Sequence, residues 1–411
     1  MSSITIFSGA FCHGGEVARK MAQSLGSELL FDGALISQTS ERFQMSESKI
    51  HRALFEKPSV FNKFTHEKER AIANLKLLLA EILKGDNLLL SGFTGHLIPQ
   101  NITHVLRVGI IAETKYRVER LMQEQGHSEK NAVKVIRRED EKAALWTSYL
   151  FQKAPWDTKL YDMVIPMDKK SVEEAVPIIC ESVQKDILKA TPASQKAVED
   201  FGLAVRVEAV LKREGHDVSV TAGEGLVTLT INKHVLMLSR LEEELKKIAL
   251  TVSGVKNVET KVGSGFYKSD IYRKFDIETP SKVVLLDDER EFVQTLSDRL
   301  LMRDMGTAVA YDGEQALSLV EEDEPEVMVL DLKMPGIDGI EVLRRVKREH
   351  PNMEVIILTG HGSKEDEEIC RKLGAFAYLE KPIDMEVLAQ TMSEAYQRVR
   401  ERRSDVSDKK D

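Results

Sequence analysis

The sequence predicts an α/β multidomain protein, and three observations predict it. At 411 residues the chain has length for about two to four domains of roughly 150 residues each. Apolar strands and amphipathic helices alternate through residues 1–190 and again through 282–403. Such alternation implies a mainly parallel sheet with helices packed on it. Between them, 196–263 carries short strands of alternating valines around a Gly-Glu-Gly turn. The composition, 42% hydrophobic and 30% charged, is that of a soluble globular protein. A net charge of −9 disfavours binding nucleic acid by bulk electrostatics. The apolar runs Leu77–Ala80 and Leu88–Leu90 fall far short of the ~18 residues of a membrane span. No signal-peptide pattern opens the chain. Cys12, Cys180 and Cys370 form neither a disulfide framework nor a CxxC site, which suits a reducing cytoplasm.

The elements follow in order. Ser3–Ser8 is a short apolar strand, then a glycine turn opens a helix over Glu16–Leu25. Glu67–Lys84 is amphipathic and stopped by Gly85. Asn87–Ser91 and His104–Ala112 read as buried strands, Thr114–Gln125 and Ser128–Phe151 as helices, Asp162–Pro166 as a strand. Ser171-x-x-Glu174 is a capping box for a helix through Leu188. A break near Lys189–Lys196 separates the next segment. There a helix (Lys196–Arg213), two strands (Asp217–Thr221, Leu226–Ile231), a helix (Val235–Val252) and a strand (Lys256–Val262) make a small α+β domain. Residues 264–281 read as a linker, 282–403 as the last domain and 404–411 as a polar tail. In the last domain Val283–Leu286, Val327–Leu330 and Val355–Leu358 are continuous apolar runs, as a sheet covered on both faces requires.

The chemistry lies at the ends of those runs. Asp287 and Asp288 follow the first run, Asp331 follows Val327–Leu330, Thr359 follows Val355–Leu358, and Lys381 precedes Pro382. In an open parallel sheet these are the carboxyl ends of strands, where ligands bind. Three carboxylates gathered there favour a hard divalent cation, Mg²⁺. A carboxylate faced by an ammonium can act as a nucleophile toward phosphorus. Each feature alone reads as a cap or a solvated charge; five in order at strand ends do not.

These stretches, VVLLDDE at 283–289, VMVLDLKMPGIDGIEVL at 327–343, VIILTGHG at 355–362 and AFAYLEKP at 375–382, closely resemble the response-regulator receiver domain. The resemblance implies a flavodoxin-like (βα)5 doubly wound fold. It makes Asp331 the phosphoacceptor, with Mg²⁺ held by Asp287, Asp288, Asp331 and the backbone carbonyl of Lys333. Lys381 would pair with the phosphoryl group, Thr359 would hydrogen-bond it, and Tyr378 would be the switch aromatic. The Lys381–Pro382 peptide would be cis.

In the first domain, Gly9-Ala10-Phe11-Cys12-His13-Gly14-Gly15-Glu16 follows a strand and opens a helix, the setting of a phosphate-binding loop. Gly15 stands where such a loop carries lysine and Glu16 where it carries Ser or Thr. Gly9, Gly14 and Gly15 are therefore candidates for a degenerate phosphate loop, and a bare tight turn reads equally well. With ITIFSGAFCHGGEVARKMAQSLG at 4–26, LFDGALI at 30–36, HVLRVGIIAETKYRVERLM at 104–122 and LYDMVIP at 160–166, the segment resembles cytidylate-kinase-like P-loop proteins. It departs from them at Gly92-Phe93 and after Asp140, while Asp32 stands near the expected monophosphate pocket. Arg19, Lys20, Arg117 and Arg120 read as solvated helix-face charges rather than ligand contacts. DVSVTAGEGLVTLTI at 217–231 and VSGVKNVETKV at 252–262 resemble the BON domain, a binding module.

The expected function is a cytoplasmic response regulator of a two-component phosphorelay. It accepts a phosphoryl group on Asp331 from a sensor histidine kinase or a small phosphodonor and switches the docking or activity of its N-terminal domains toward a protein partner. The alternative is a receiver-regulated cytidylate-kinase-like phosphotransferase, and a nucleotide at the glycine turn stays open with it. So do membrane contact through the BON-like segment and dimerisation through Met385–Arg403. No direct nucleic-acid binding is expected.

Overall fold

The computed structural model describes residues 3–85, 87–233, 238–263, 280, 282–301, 303, 305–360 and 362–407, with the backbone alone at 63 and 403–407. The chain divides into two compact units, one of residues 1–57 with 67–272 and one of residues 58–66 with 273–411.

The first unit begins with β1 (Ser3–Ser8), α1 (Gly14–Leu25), β2 (Glu28–Phe31), α2 (Asp32–Phe43) and α3 (Glu47–Phe55). Beyond an excursion carrying α4 (Asn62–Thr65) come α5 (Glu67–Ile82), β3 (Leu88–Ser91), β4 (Val105–Ile111), α6 (Thr114–Gln125), α7 (Glu129–Phe151), β5 (Met163–Pro166) and α8 (Val172–Val183). The five strands form one parallel sheet in the order β2-β3-β1-β4-β5. Side chains alternate across it: Leu88 and Leu90 join the cluster with α5, and Leu89 joins the cluster with α1 and α8. The helix expected through Leu188 ends at Val183, and a separate 3₁₀ turn covers Asp186–Leu188.

α9 (Pro192–Arg213) follows, then β6 (Ser219–Gly223), β7 (Leu226–Ile231), α10 (Leu238–Leu250) and β8 (Asn257–Val262). The break read near 189–196 is the start of α9, where Thr191 and Ser194 form a reciprocal capping box. β6 pairs antiparallel with β7, and β7 parallel with β8. α9 serves two cores. Val198, Phe201 and Val205 join the cluster of the first sheet, while Leu203, Val207 and Leu211 join the cluster of β6–β8. Residues 196–263 therefore belong to the same compact unit as the first sheet.

The second unit contains β9 (Val283–Leu286), α11 (Arg290–Leu301), β10 (Thr307–Ala310), α12 (Gly313–Glu322), β11 (Val327–Leu330) and α13 (Gly339–Glu349). It ends with β12 (Glu354–Thr359), α14 (Lys364–Lys372), β13 (Ala377–Glu380) and α15 (Met385–Ser407). The strands are all parallel, in the order β10-β9-β11-β12-β13. Val284, Leu286, Met328 and Leu330 face one apolar cluster, and Val283, Leu285, Val327 and Val329 face another. Burial on both faces accounts for the unbroken apolar runs. The expected linker at 264–281 lies outside the described residues except for Pro280. α15 runs four residues past the expected domain end at 403, and residues 408–411 of the tail lie outside the described residues. Arg398 and Arg402 anchor α15 on the buried Glu354, at 3.5 and 2.9 Å. Among the described residues no helix is long and apolar enough to cross a membrane.

Candidate functional site

The order of the second sheet puts its topological switch between β9 and β11, and the acids stand at the carboxyl ends of those strands. Carboxylate oxygens of Asp287, Asp288 and Asp331 lie within 4.8 Å of one another. Asp287 and Asp331 are buried and Asp288 is exposed. The Lys381 ammonium donates to Asp287 Oδ2 at 2.6 Å and lies 3.5 Å from Asp331 Oδ2. Asp331 Oδ1 accepts the Leu332 N–H at 2.7 Å, so Oδ2 is the oxygen turned to the ammonium. Burial raises the Asp287 carboxyl above its ordinary range, against the hydrogen bonds from Lys381 and the Glu289 N–H. Burial pushes the Lys381 ammonium down, but the hydrogen bond and charge of Asp287 and the charge of Asp331 outweigh it and hold it above its usual range.

The Lys381 N–H pairs with the Thr359 carbonyl at 2.9 Å, which holds its backbone at the end of β12, and the Lys381–Pro382 peptide is cis, as the resemblance implied. Thr359 is buried at the end of β12. The Tyr378 hydroxyl is buried without a hydrogen-bond partner among the described residues. It packs over Gly362, where a Cβ would fall 1.6 Å from that hydroxyl and 2.9 Å from Thr359 Cγ2. Lys333 follows in the loop with an exposed side chain. Gly339 allows that loop to close, since a Cβ there would meet the Asp331 carbonyl at 2.4 Å. Two residues escaped the sequence reading. Glu289 lies 3.3 Å from the Lys381 ammonium, and the Phe292 ring stands under it at 4.4 Å. Their signal was a position one and four residues beyond the acid pair, at the start of α11.

In the glycine turn of the first unit two of the three glycines pack closely on neighbouring side chains. Gly9 lies under Trp156, and a Cβ there would come 3.0 Å from Cys12 Sγ and 3.3 Å from the indole. Gly14 packs on Ser8, where a Cβ would clash at 2.3 Å; Gly15 has room for one. His13, at φ 60°, bridges Glu16 and Tyr116, each at 3.0 Å. Arg117 is a correction to the sequence reading. Its guanidinium is buried, donating to both Asp140 oxygens at 3.0 and 2.7 Å and to the Ala10 carbonyl at 2.8 Å. A cation beside Asp140 on the next helix, hidden in sequence, ties the turn to α6 and α7. Asp32 is half-buried, and accepts the N–H groups of Phe93 and Thr94 and the Thr94 hydroxyl. At the carboxyl end of β1, Phe7 packs with Phe93, His96, Trp156 and Tyr161. A cavity lined by Phe7, His96, Phe151 and Tyr161, with Arg107, measures about 10 Å³, which holds one water at most.

The second unit is thus a doubly wound α/β domain with an acid-and-lysine cleft at its switch point. Residues 283–393 match the response regulator receiver domain and residues 3–169 match the cytidylate kinase-like family. The chain therefore carries a receiver domain at its C-terminus and a cytidylate kinase-like domain at its N-terminus. Solved structures similar to it include a receiver domain protein from Methanospirillum hungatei JF-1, at 22% identity, covering 29% of this chain and 96% of that one with a TM-score of 0.29. A receiver domain protein from Clostridium thermocellum is 33% identical, covering 28% of this chain and 94% of that one, TM-score 0.28. The receiver domain of NtrX from Brucella abortus is 26% identical, covering 28% and 98%, TM-score 0.27.

Proposed function

We propose that the protein is a response regulator of a two-component phosphorelay whose phosphoacceptor is Asp331. The observation that carries this is the Lys381 ammonium held between Asp287 and Asp331 among three convergent carboxylates. Asp331 Oδ2 attacks phosphorus of a sensor histidine kinase's phosphohistidine or of a small acyl phosphate. The O–P bond to Asp331 forms, the donor's N–P or O–P bond breaks, and its electron pair leaves with the donor. Lys381 neutralises charge gathering on the phosphoryl oxygens. The hard-oxygen donor set fits Mg²⁺, which Asp287, Asp288, Asp331 and the Lys333 carbonyl would hold. When bound, that cation offsets the negative charge of the incoming phosphoryl group.

The product adds about −1.5 to −2 of charge, if it titrates as other protein phosphates do. Thr359 turns toward it and the Tyr378 ring follows, which is how the signal leaves the site. The first unit carries the output to a protein partner. Arg117 and Asp32 are engaged within the fold and the cleft is packed with aromatics, which favours a non-catalytic kinase-like domain over a nucleotide phosphotransferase. We read residues 196–263 as a BON-like interaction module, and the setting as cytoplasmic.

The test is intact-protein mass spectrometry after incubation with Mg²⁺ and acetyl phosphate. A single phosphoryl adduct is expected on the wild type and none on Asp331→Asn. An adduct of equal yield on the variant would overturn the assignment.

A further inference from the structure

The nine residues 58–66, between α3 and α5, are part of the second compact unit although their neighbours on both sides belong to the first. Their fit is specific. Phe61 is 0% exposed and sits in the apolar cluster that contains Ala316 and Val320 of α12, Val342 and Val346 of α13, and Met353. Ser59 Oγ donates to Asp323 Oδ2 at 2.6 Å and accepts the Phe61 N–H at 3.1 Å. Asp323 is no surface acid: it and Lys282 form a buried pair, with Nζ 2.9 and 3.0 Å from the two carboxylate oxygens. The Asn62 N–H bonds the Ser59 carbonyl, and those of Phe64 and Thr65 bond the Phe61 carbonyl, closing a compact turn. Lys282 precedes β9 and Asp323 follows α12, so the segment lies at the amino ends of the strands. Asp331 stands at the opposite, carboxyl ends.

We infer that the receiver carries a second interaction surface at the amino ends of its sheet, and that its ligand is this chain's own Ser59-Val60-Phe61-Asn62 turn. Recognition uses a hydroxyl on a buried carboxylate and an aromatic ring in the apolar layer under α12 and α13. The receiver fold is completed by a segment inserted in the kinase-like domain, more than 200 residues upstream. A rearrangement of the α12–α13 layer is thereby passed to the connection between α3 and α5, and a change in that connection is felt by the receiver to the same degree.

The experiment is amide hydrogen exchange on the full chain, without phosphodonor or Mg²⁺, so its outcome is independent of whether Asp331 accepts phosphate. In the wild type, peptides spanning 61–66 should exchange with protection comparable to β9 and β11. Phe61→Ala should lower protection of β9 and β11 by about a hundredfold, the consequence of emptying a buried aromatic site, and leave β1 and β4 unchanged. Ser59→Ala, which keeps the ring, should lower it by about tenfold, and Phe61→Leu should restore most of the loss. Exchange of 61–66 at the rate of a free peptide in the wild type would overturn the inference. So would unaltered β9 and β11 protection in Phe61→Ala.

Discussion

His96 gives the kinase-like domain a pH dependence that can be worked out in advance. Its ring lies 4.4 Å from Phe7, 5.7 Å from Phe151 and 5.8 Å from Tyr161, and both ring nitrogens are buried without a hydrogen-bond partner among the described residues. Burial, and then the charge of Arg107, lower its pKa from 6.5 to about 4. The folded state therefore holds a neutral ring where the unfolded chain binds a proton. Stability is complete above pH 6.5 and falls as the pH drops toward 4. The gap corresponds to about 3 kcal/mol, of which about 2.5 is lost by pH 4.5. Both tryptophans of the chain, Trp146 and Trp156, lie in the first unit, so urea unfolding followed by their fluorescence reports that unit alone. The wild type should lose about 2.5 kcal/mol more than His96→Leu between pH 7.5 and 4.5. General acid effects cancel in the difference. Parallel stability curves for the two proteins would refute the reasoning.

Two further perturbations follow from the buried ion pairs. Lys381→Met leaves Asp287 and Asp331 buried without their ammonium, at a cost of about 3 kcal/mol at neutral pH. Since the Asp287 carboxyl is already raised by burial, the fold favours its protonated form. The added loss should therefore shrink as pH falls through the carboxylate range, read as protection of β9 and β11 amides; a pH-independent loss would refute it. Arg117→Met removes a guanidinium whose side chain is 5% exposed from an Asp140 that is 34% exposed. Asp140 can be rehydrated, so the cost falls to about 2–3 kcal/mol. Tryptophan-detected unfolding of the nucleotide-free protein checks it, and an unchanged midpoint would return Arg117 to the solvated helix face.

What was legible in the sequence was whatever the strand period fixes. Asp287, Asp288, Asp331 and Lys381 each follow an apolar run, and a parallel sheet brings the ends of its strands to one edge, so the approach of these four could be read without coordinates. Glu289 just before α11 and Phe292 in its first turn touch the same lysine, and no period says which side of that turn faces a distant strand end. β2 (Glu28–Phe31) went unread because it is a four-residue edge strand with an exposed residue at each end and no alternation. The Thr-Pro-Ala-Ser stretch at 191–194 shows how residue types overlap: they serve linkers and helix caps alike, and here Thr191 and Ser194 cap α9. That α9 contributes to two apolar clusters shows in its packing, not in its composition. The glycine turn shows the limit most sharply. Gly9 and Gly14 are required by close packing on Trp156, Cys12 and Ser8, so packing alone accounts for two of the three glycines whose spacing also suits a phosphate cradle. Glycine positions report how close the backbone must approach something; they do not report whether that something is a ligand. The Arg117 guanidinium makes the same point with charge. A basic residue near a loop looks like a phosphate contact or a solvated surface group until the carboxylate that neutralises it is located, 23 residues on and one helix away.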